Sequence, residues 1–203
     1  MQRNTTDLEP TNQLSFGIKN LCASNHTDRE RSDLDYYATE PKAVRLLLEM
    51  EKFEGSIWEC ACGEGHLSEE MKRLGYEVFS SDRISRSYPL KVQDFLCIEN
   101  RETEHNIITN PPFKLASQFI LKGLEVLQEG KKLALLLPVR YLESRARKHI
   151  YMEHPPKTVY VSSGRIKTAR NGRFGSFSTG THFYSWIVWQ KGYQGETTLK
   201  WFN

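Results

Sequence analysis

Long apolar runs are missing from this sequence. No stretch approaches the roughly 18 residues that a membrane span requires, and a mean hydropathy of −0.58 suits a soluble chain with a polar surface. Residues Met1 to Pro10 are polar and include acids, so they do not read as a secretory leader. Cysteine is scarce. Cys22, Cys60, Cys62 and Cys97 show no metal-ligand spacing. Reduced thiols in a cytoplasmic protein, with no metal and no membrane contact, are the expectation. Internal repeats and low-complexity tracts are also absent.

What is present is enough chain, 203 residues, for one α/β domain with a full core. The net charge of +3 conceals an asymmetry. Residues 140–173 hold nine Lys or Arg against two acids, a local +7, which leaves −4 for the rest. The block divides into Arg140, Arg145, Arg147 and Lys148 around an expected helix at 143–152, and Arg165, Lys167, Arg170 and Arg173 in a later loop. Such a block is either a solvated face or a polyanion-binding surface.

The first 34 residues have no clean hydrophobic period and read as a partly disordered tail, with a short docking segment at 14–22 as the alternative. From residue 35 the pattern is regular. Thr39 is placed to cap a helix whose first turn contains Pro41. Ser56 to Ala61 reads as a buried strand, Cys62-Gly63-Glu64-Gly65-His66-Leu67 as a glycine loop, and Ser68 to Leu74 as a helix. Strand, glycine loop and helix form the opening unit of a doubly wound nucleotide fold. The loop lacks the third glycine of the dinucleotide fingerprint and the Lys-Ser/Thr of a P-loop, which disfavours a pyrophosphate ligand. A second strand ends at Asp82, 19 residues after Gly63, the spacing of a ribose-binding acid in such folds. Further strands are expected near Asp94, at 105–109, at 133–137, at 158–161 and at 183–189, with a helix over 115–128. Residues 164–180 form a long loop rich in Gly, Arg and Ser.

The fourth strand runs into Asn110-Pro111-Pro112-Phe113. Two prolines fix φ and remove two backbone donors, so the carbonyls around them are expected to point outward. An amide before them and a ring after them complete a polar pocket with one flat wall. In a sheet wound outward from its first strand, the first and fourth strands are neighbours, and ligands bind between their carboxyl ends. Sequence order alone therefore sets Asn110 opposite the glycine loop.

Asn-Pro-Pro-Phe resembles the catalytic motif of adenine-N6 nucleic-acid methyltransferases that use S-adenosylmethionine, and Glu59-x-Ala61-Cys62-Gly63-x-Gly65 resembles their first cofactor motif. Together with Asp82 these carry the resemblance, which spans about Tyr36 to Trp189. It implies a Rossmann-like class I methyltransferase fold. That fold would have a seven-stranded, mostly parallel sheet with an antiparallel last strand and helices on both faces. One domain would cover 35–203, with no separate target-recognition domain.

The resemblance also implies the cofactor contacts. Glu59 would face the cationic methionine part, with Ala61, Cys62, Gly63 and Gly65 as the surrounding backbone. Asp82 would hold the ribose, and Arg83, Asp94 and Phe95 the adenine. Tyr37 and Thr39, in a departure from the family's Tyr-x-Thr-Pro segment, would close one side. Asn110, Pro111, Pro112 and Phe113 would be catalytic, with Asn110 also bordering the cofactor. The likeness to small phage-type adenine methyltransferases makes Phe174, Phe177 and Phe183 candidates for a second wall around the target base, although each also suits plain packing. The implied activity is methyl transfer to adenine N6 in DNA. RNA adenine, a protein glutamine amide and a non-catalytic binding module are the alternatives. The implied partner is nucleic acid, most simply DNA, with short or relaxed sequence specificity read by the 164–182 loop, or specificity supplied by a second copy or a recognition partner.

Overall fold

The protein is described by a computed structural model, which covers residues 37–86, 88–99, 101–164, 166, 168–170 and 183–202. Its main sheet has eight strands: β2 (Ile57–Glu59), β3 (Val78–Asp82), β4 (Lys91–Val92), β5 (Asn106–Thr109), β6 (Lys132–Pro138), β7 (Thr158–Ser162), β9 (Tyr184–Gln190) and β10 (Thr198–Phe202). Their order is β10-β7-β9-β6-β5-β2-β3-β4. β9 runs antiparallel to both neighbours, and every other pair is parallel.

The strand sequences explain why both faces are covered. Leu133, Leu135 and Leu137 point to one face of the sheet, and Ala134 and Leu136 to the other. Ile107 and Ile108 divide in the same way, as do Ile187 and Trp189 against Trp186 and Val188. An apolar run without polar alternation has no face to give to water. Helices α1 (Lys42–Met50) and α2 (His66–Arg73) cover one side, and α3 (Ala116–Val126) and α4 (Lys148–Glu153) the other. Trp186 Nε1 donates to the Ala43 carbonyl at 2.8 Å, tying α1 to the sheet beneath it.

Four differences from the sequence-based expectation have physical causes. The sheet has eight strands, and the antiparallel strand is the one before last. The last strand expected from the sequence is 183–189, with none over 198–202. Instead Thr198 N–H bonds to Lys157 O at 3.0 Å, and Phe202 buries its ring, so the edge of β7 acquires a partner. The strand near Asp94 shrinks to Lys91–Val92, because Asp94 accepts from Leu96 N–H and starts a 3₁₀ turn at 95–97. The helix expected over 143–152 begins only at Lys148. Arg147 donates to the carbonyls of Tyr141 and Glu143, and side-chain bonds of this kind compete with helical ones. Finally, β1 (Tyr37–Thr39) pairs antiparallel with β8 (Thr168–Arg170) in a separate two-stranded sheet that the sequence pattern did not reveal.

Candidate active site

β2 and β5 are hydrogen-bonded neighbours, with Trp58 opposite Ile107. The segments that follow them, the glycine loop and Asn110–Phe113, therefore leave one edge of the sheet side by side.

The glycine loop is fastened to β3. Cys62 N–H donates to Ser81 O at 3.0 Å, and Gly63 N–H to Asp82 Oδ2 at 2.8 Å. Asp82 Oδ1 accepts from Ile84 N–H at 2.9 Å and faces Arg86 at 3.3 Å, leaving the side chain 13% exposed. A carboxylate offers about four acceptor sites, so these three bonds leave Asp82 about one for a ligand hydroxyl. Arg83 is exposed beside it, and Ala61 is half-buried.

Gly65 adopts φ 77°, and a Cβ built there would lie 2.4 Å from the Tyr88 ring. The freedom of this glycine is thus used against a protein side chain. Tyr88 in turn donates to Glu69 Oε1 at 2.6 Å and accepts from Lys72 Nζ at 2.9 Å. Gly65→Ala is expected to lower Tm by several degrees. A left-handed alanine costs about 1–2 kcal/mol, and 1 kcal/mol moves Tm by roughly 2–4 °C at this size. Adding Tyr88→Ala should relieve the contact and leave the backbone cost. Complete thermal recovery in the double variant would show that backbone conformation plays no part.

Glu59, the last residue of β2, is 2% exposed. Burial pushes its carboxyl up to about 8, with the Asp82 charge adding to the rise, while the Ser68 hydroxyl bonded to it pulls the other way. Ser68 also bonds Ser80 at 2.7 Å. No sequence signal pointed to Ser68. It lies one turn into α2, on the face packed against the sheet. Cys60 and Cys62 are buried free thiols, held well above the usual range by burial. Cys97 lies exposed at the end of the 3₁₀ turn.

The Asn110 turn is held from two sides. Thr39 does not cap α1, whose N-cap position is Pro41 with no side-chain bond. Its hydroxyl accepts from Asn110 Nδ2 at 2.8 Å, across 71 residues of chain. The carbonyls after the first proline are not all outward-pointing as expected. Pro112 O accepts from Leu115 N–H at 2.9 Å, and Phe113 O from Ala116 N–H and from the Tyr141 hydroxyl. Those claims fall on Pro112 and Phe113, one and two residues past Pro111. The Phe113 ring lies 6.0 Å from Tyr141 and 6.1 Å from Tyr184. Neither tyrosine was singled out from the sequence. Both follow or begin strands at the carboxyl end of β6, which is the signal that fold rules offer.

Other expected residues fall elsewhere. Phe95 is a core residue, edge-on to Trp58 at 5.4 Å and 5.0 Å from Phe119, so its ring is not available to a cofactor. Asp94 is half-buried and accepts from Leu96 N–H at 3.0 Å within its own turn. Arg140, Arg145 and Lys148 are exposed. Arg147 differs, because its guanidinium lies 4.4 Å over the Tyr141 ring and holds backbone carbonyls. Phe183 is 70% exposed at the same end of the sheet, where its carbonyl accepts from Val139 N–H. The side chains of Tyr37 and Arg170, and residues Arg165, Lys167, Arg173, Phe174, Phe177 and 1–34, lie outside the described residues.

This strand order, with its single antiparallel strand, is the class I methyltransferase fold. Solved structures with the same fold include a candidate class I S-adenosylmethionine-dependent methyltransferase from Listeria monocytogenes, at TM-score 0.54 and 14% identity over 93% of this chain and 71% of that one. A candidate RNA methyltransferase from Pyrococcus horikoshii matches at TM-score 0.55 and 16% identity, over 88% of this chain and 98% of that one. An O-methyltransferase from Thermotoga maritima matches at TM-score 0.50 and 14% identity, over 88% and 72%. No known protein-family profile matches the sequence, and no curated protein does.

Proposed function

We propose that this protein transfers a methyl group from S-adenosylmethionine to the exocyclic N6 of adenine in DNA. The observation that carries the reading is the pairing of β2 with β5. It sets the Asn110-Pro111-Pro112-Phe113 turn beside a glycine loop flanked by two carboxylates. The residues suit the cofactor: Glu59 is a buried acid for a cationic group, and Asp82 retains about one acceptor site for a hydroxyl. S-adenosylmethionine, when bound, supplies a methyl group already activated on a sulfonium, so the protein has to supply position and electrostatics.

Adenine N6 is a weak nucleophile because its lone pair is conjugated with the ring. The Asn110 side-chain oxygen and the Pro111 carbonyl accept its two hydrogens, which favours a tetrahedral nitrogen with its lone pair directed forward. Thr39 takes the Nδ2 end of the amide, which leaves the oxygen end of Asn110 to serve as acceptor. Phe113 stacks on the base. In duplex DNA the base must leave the stack, at a cost of a few kcal/mol, and exposed Arg140, Arg145 and Lys148 hold neighbouring phosphates.

The test is to incubate the purified protein with S-adenosylmethionine and, separately, duplex DNA, single-stranded DNA and RNA, then measure modified nucleosides by mass spectrometry. N6-methyladenine in DNA is expected. Methyladenine confined to RNA would keep the chemistry and replace the substrate. No product on any nucleic acid, with cofactor bound, would overturn the reading in favour of an amide-bearing protein substrate or a binding module.

A further inference from the structure

We propose that Tyr141 is the positioning residue of the Asn110–Phe113 turn, held in place by Arg147. The proposal rests on the methyl-transfer reading for its kinetic consequence, and on contacts alone for its structural one.

The two prolines fix φ within the turn, but nothing in them fixes how the turn sits against the sheet. Tyr141 does so from the 3₁₀ turn at 139–142 that follows β6. Its hydroxyl donates to the Phe113 carbonyl, and its ring lies 6.0 Å from the Phe113 ring at 54°. The phenol is raised by burial, so it stays protonated and remains a donor.

Tyr141 is itself held at three points. Its carbonyl accepts from Arg147 Nε at 3.1 Å and from the Tyr151 hydroxyl at 3.0 Å. Its ring carries the Arg147 guanidinium 4.4 Å above its centroid. Arg147 Nη2 also donates to Glu143 O at 3.1 Å, which ties both ends of the loop together. Tyr151 stacks on Trp189 at 6.4 Å and 12°, and Trp189 is a core residue that donates to His154 O. A continuous path therefore runs from the core, through Tyr151 and Tyr141, to the carbonyl that ends the motif. Arg147 belongs to this path and not to the phosphate-binding surface assigned from the sequence.

Tyr141→Phe keeps the ring and removes one donor. The expected result is about a tenfold lower kcat, the scale of one hydrogen bond, with Kd for S-adenosylmethionine unchanged. Faster hydrogen exchange should appear at the amides of Leu115 and Ala116, which bond Pro112 O and Phe113 O. Arg147→Ala should reproduce these effects, add little to Tyr141→Phe, and be only partly repaired by Arg147→Lys, which lacks the planar fork. Two results would overturn the proposal: unchanged exchange at 115–116 in Tyr141→Phe, or faster exchange with unchanged kcat. A wild-type protein with no turnover on any nucleic acid would defeat the methyl-transfer reading alone. The exchange comparison would still decide the placement of Tyr141.

Discussion

Asn110→Ala is expected to reduce methyl transfer at least about a hundredfold, the usual scale for losing a group aimed at developing charge, while cofactor affinity stays within about twofold. The reason is a division of labour across one sheet edge. The elements proposed to hold the cofactor follow β2 and β3 and are fastened to each other by Gly63 and Asp82. Asn110 follows β5, and its Nδ2 donates to the Thr39 hydroxyl. On the proposed reading, removing the amide takes away an acceptor for the adenine amine and leaves the bonds of the glycine loop to β3 in place. Asn110→Asp retains an oxygen but no donor for the Thr39 hydroxyl in the present arrangement. It should fall between alanine and wild type. Calorimetry with S-adenosylmethionine and single-turnover methylation separate the two effects. Loss of cofactor affinity in step with activity would refute the role assigned to Asn110.

Glu59 gives the second large effect. Its folded-state carboxyl titrates near 8 because burial disfavours the charge, against roughly 4.3 when unfolded. Below the unfolded value both states are protonated, and the contribution to stability is fully present. As pH rises from there to about 8, the unfolded state releases its proton and the folded state keeps it. Stability is lost across that window, at up to about 1.4 kcal/mol per pH unit. Glu59→Gln has the same shape and no charge to bury, and its amide oxygen can accept the Ser68 hydroxyl. At pH 8 it should be more stable than wild type by several kcal/mol, and near pH 4 the two should agree. Thermal melts at the two pH values decide this, and equal or lower stability of the variant at pH 8 would contradict it.

The cofactor reverses the sign of the same effect. A sulfonium and an ammonium beside Glu59 favour the carboxylate, so binding should release a proton below pH 8. Affinity for S-adenosylmethionine should therefore tighten as pH rises toward 8, and Glu59→Gln should bind more weakly without that dependence. A pH-independent wild-type affinity would mean that Glu59 does not face the cationic part of the ligand.

Much of this site was legible in the sequence because local chemistry wrote it. The glycine loop between a strand and a helix, an acid ending the next strand, and two prolines after the fourth strand are all short-range patterns. Strand order then followed from the winding rule, and β2 does lie beside β5. The β-branched and leucine runs at 107–108, 133–137 and 158–161 likewise identified buried strands, since an unbroken apolar run excludes a water-facing side.

What the tertiary structure alone decided is which partner each polar or aromatic group meets. Thr39 had a good local role as a helix cap, and the fold instead turned it to Asn110, 71 residues away. Gly65 read as room for a ligand, and Tyr88 fills the space where its Cβ would be. Arg147 read as one more cation in a basic block, and the fold spent it on the carbonyls around Tyr141. Phe95 read as a wall for a base and became core between Trp58 and Phe119. Residues 198–202 carried no signal of their own, because an edge strand is defined by the neighbour it pairs with. Sequence spacing limits what a residue can do locally. Competition among distant partners for each donor, acceptor and ring is settled only when the chain is packed.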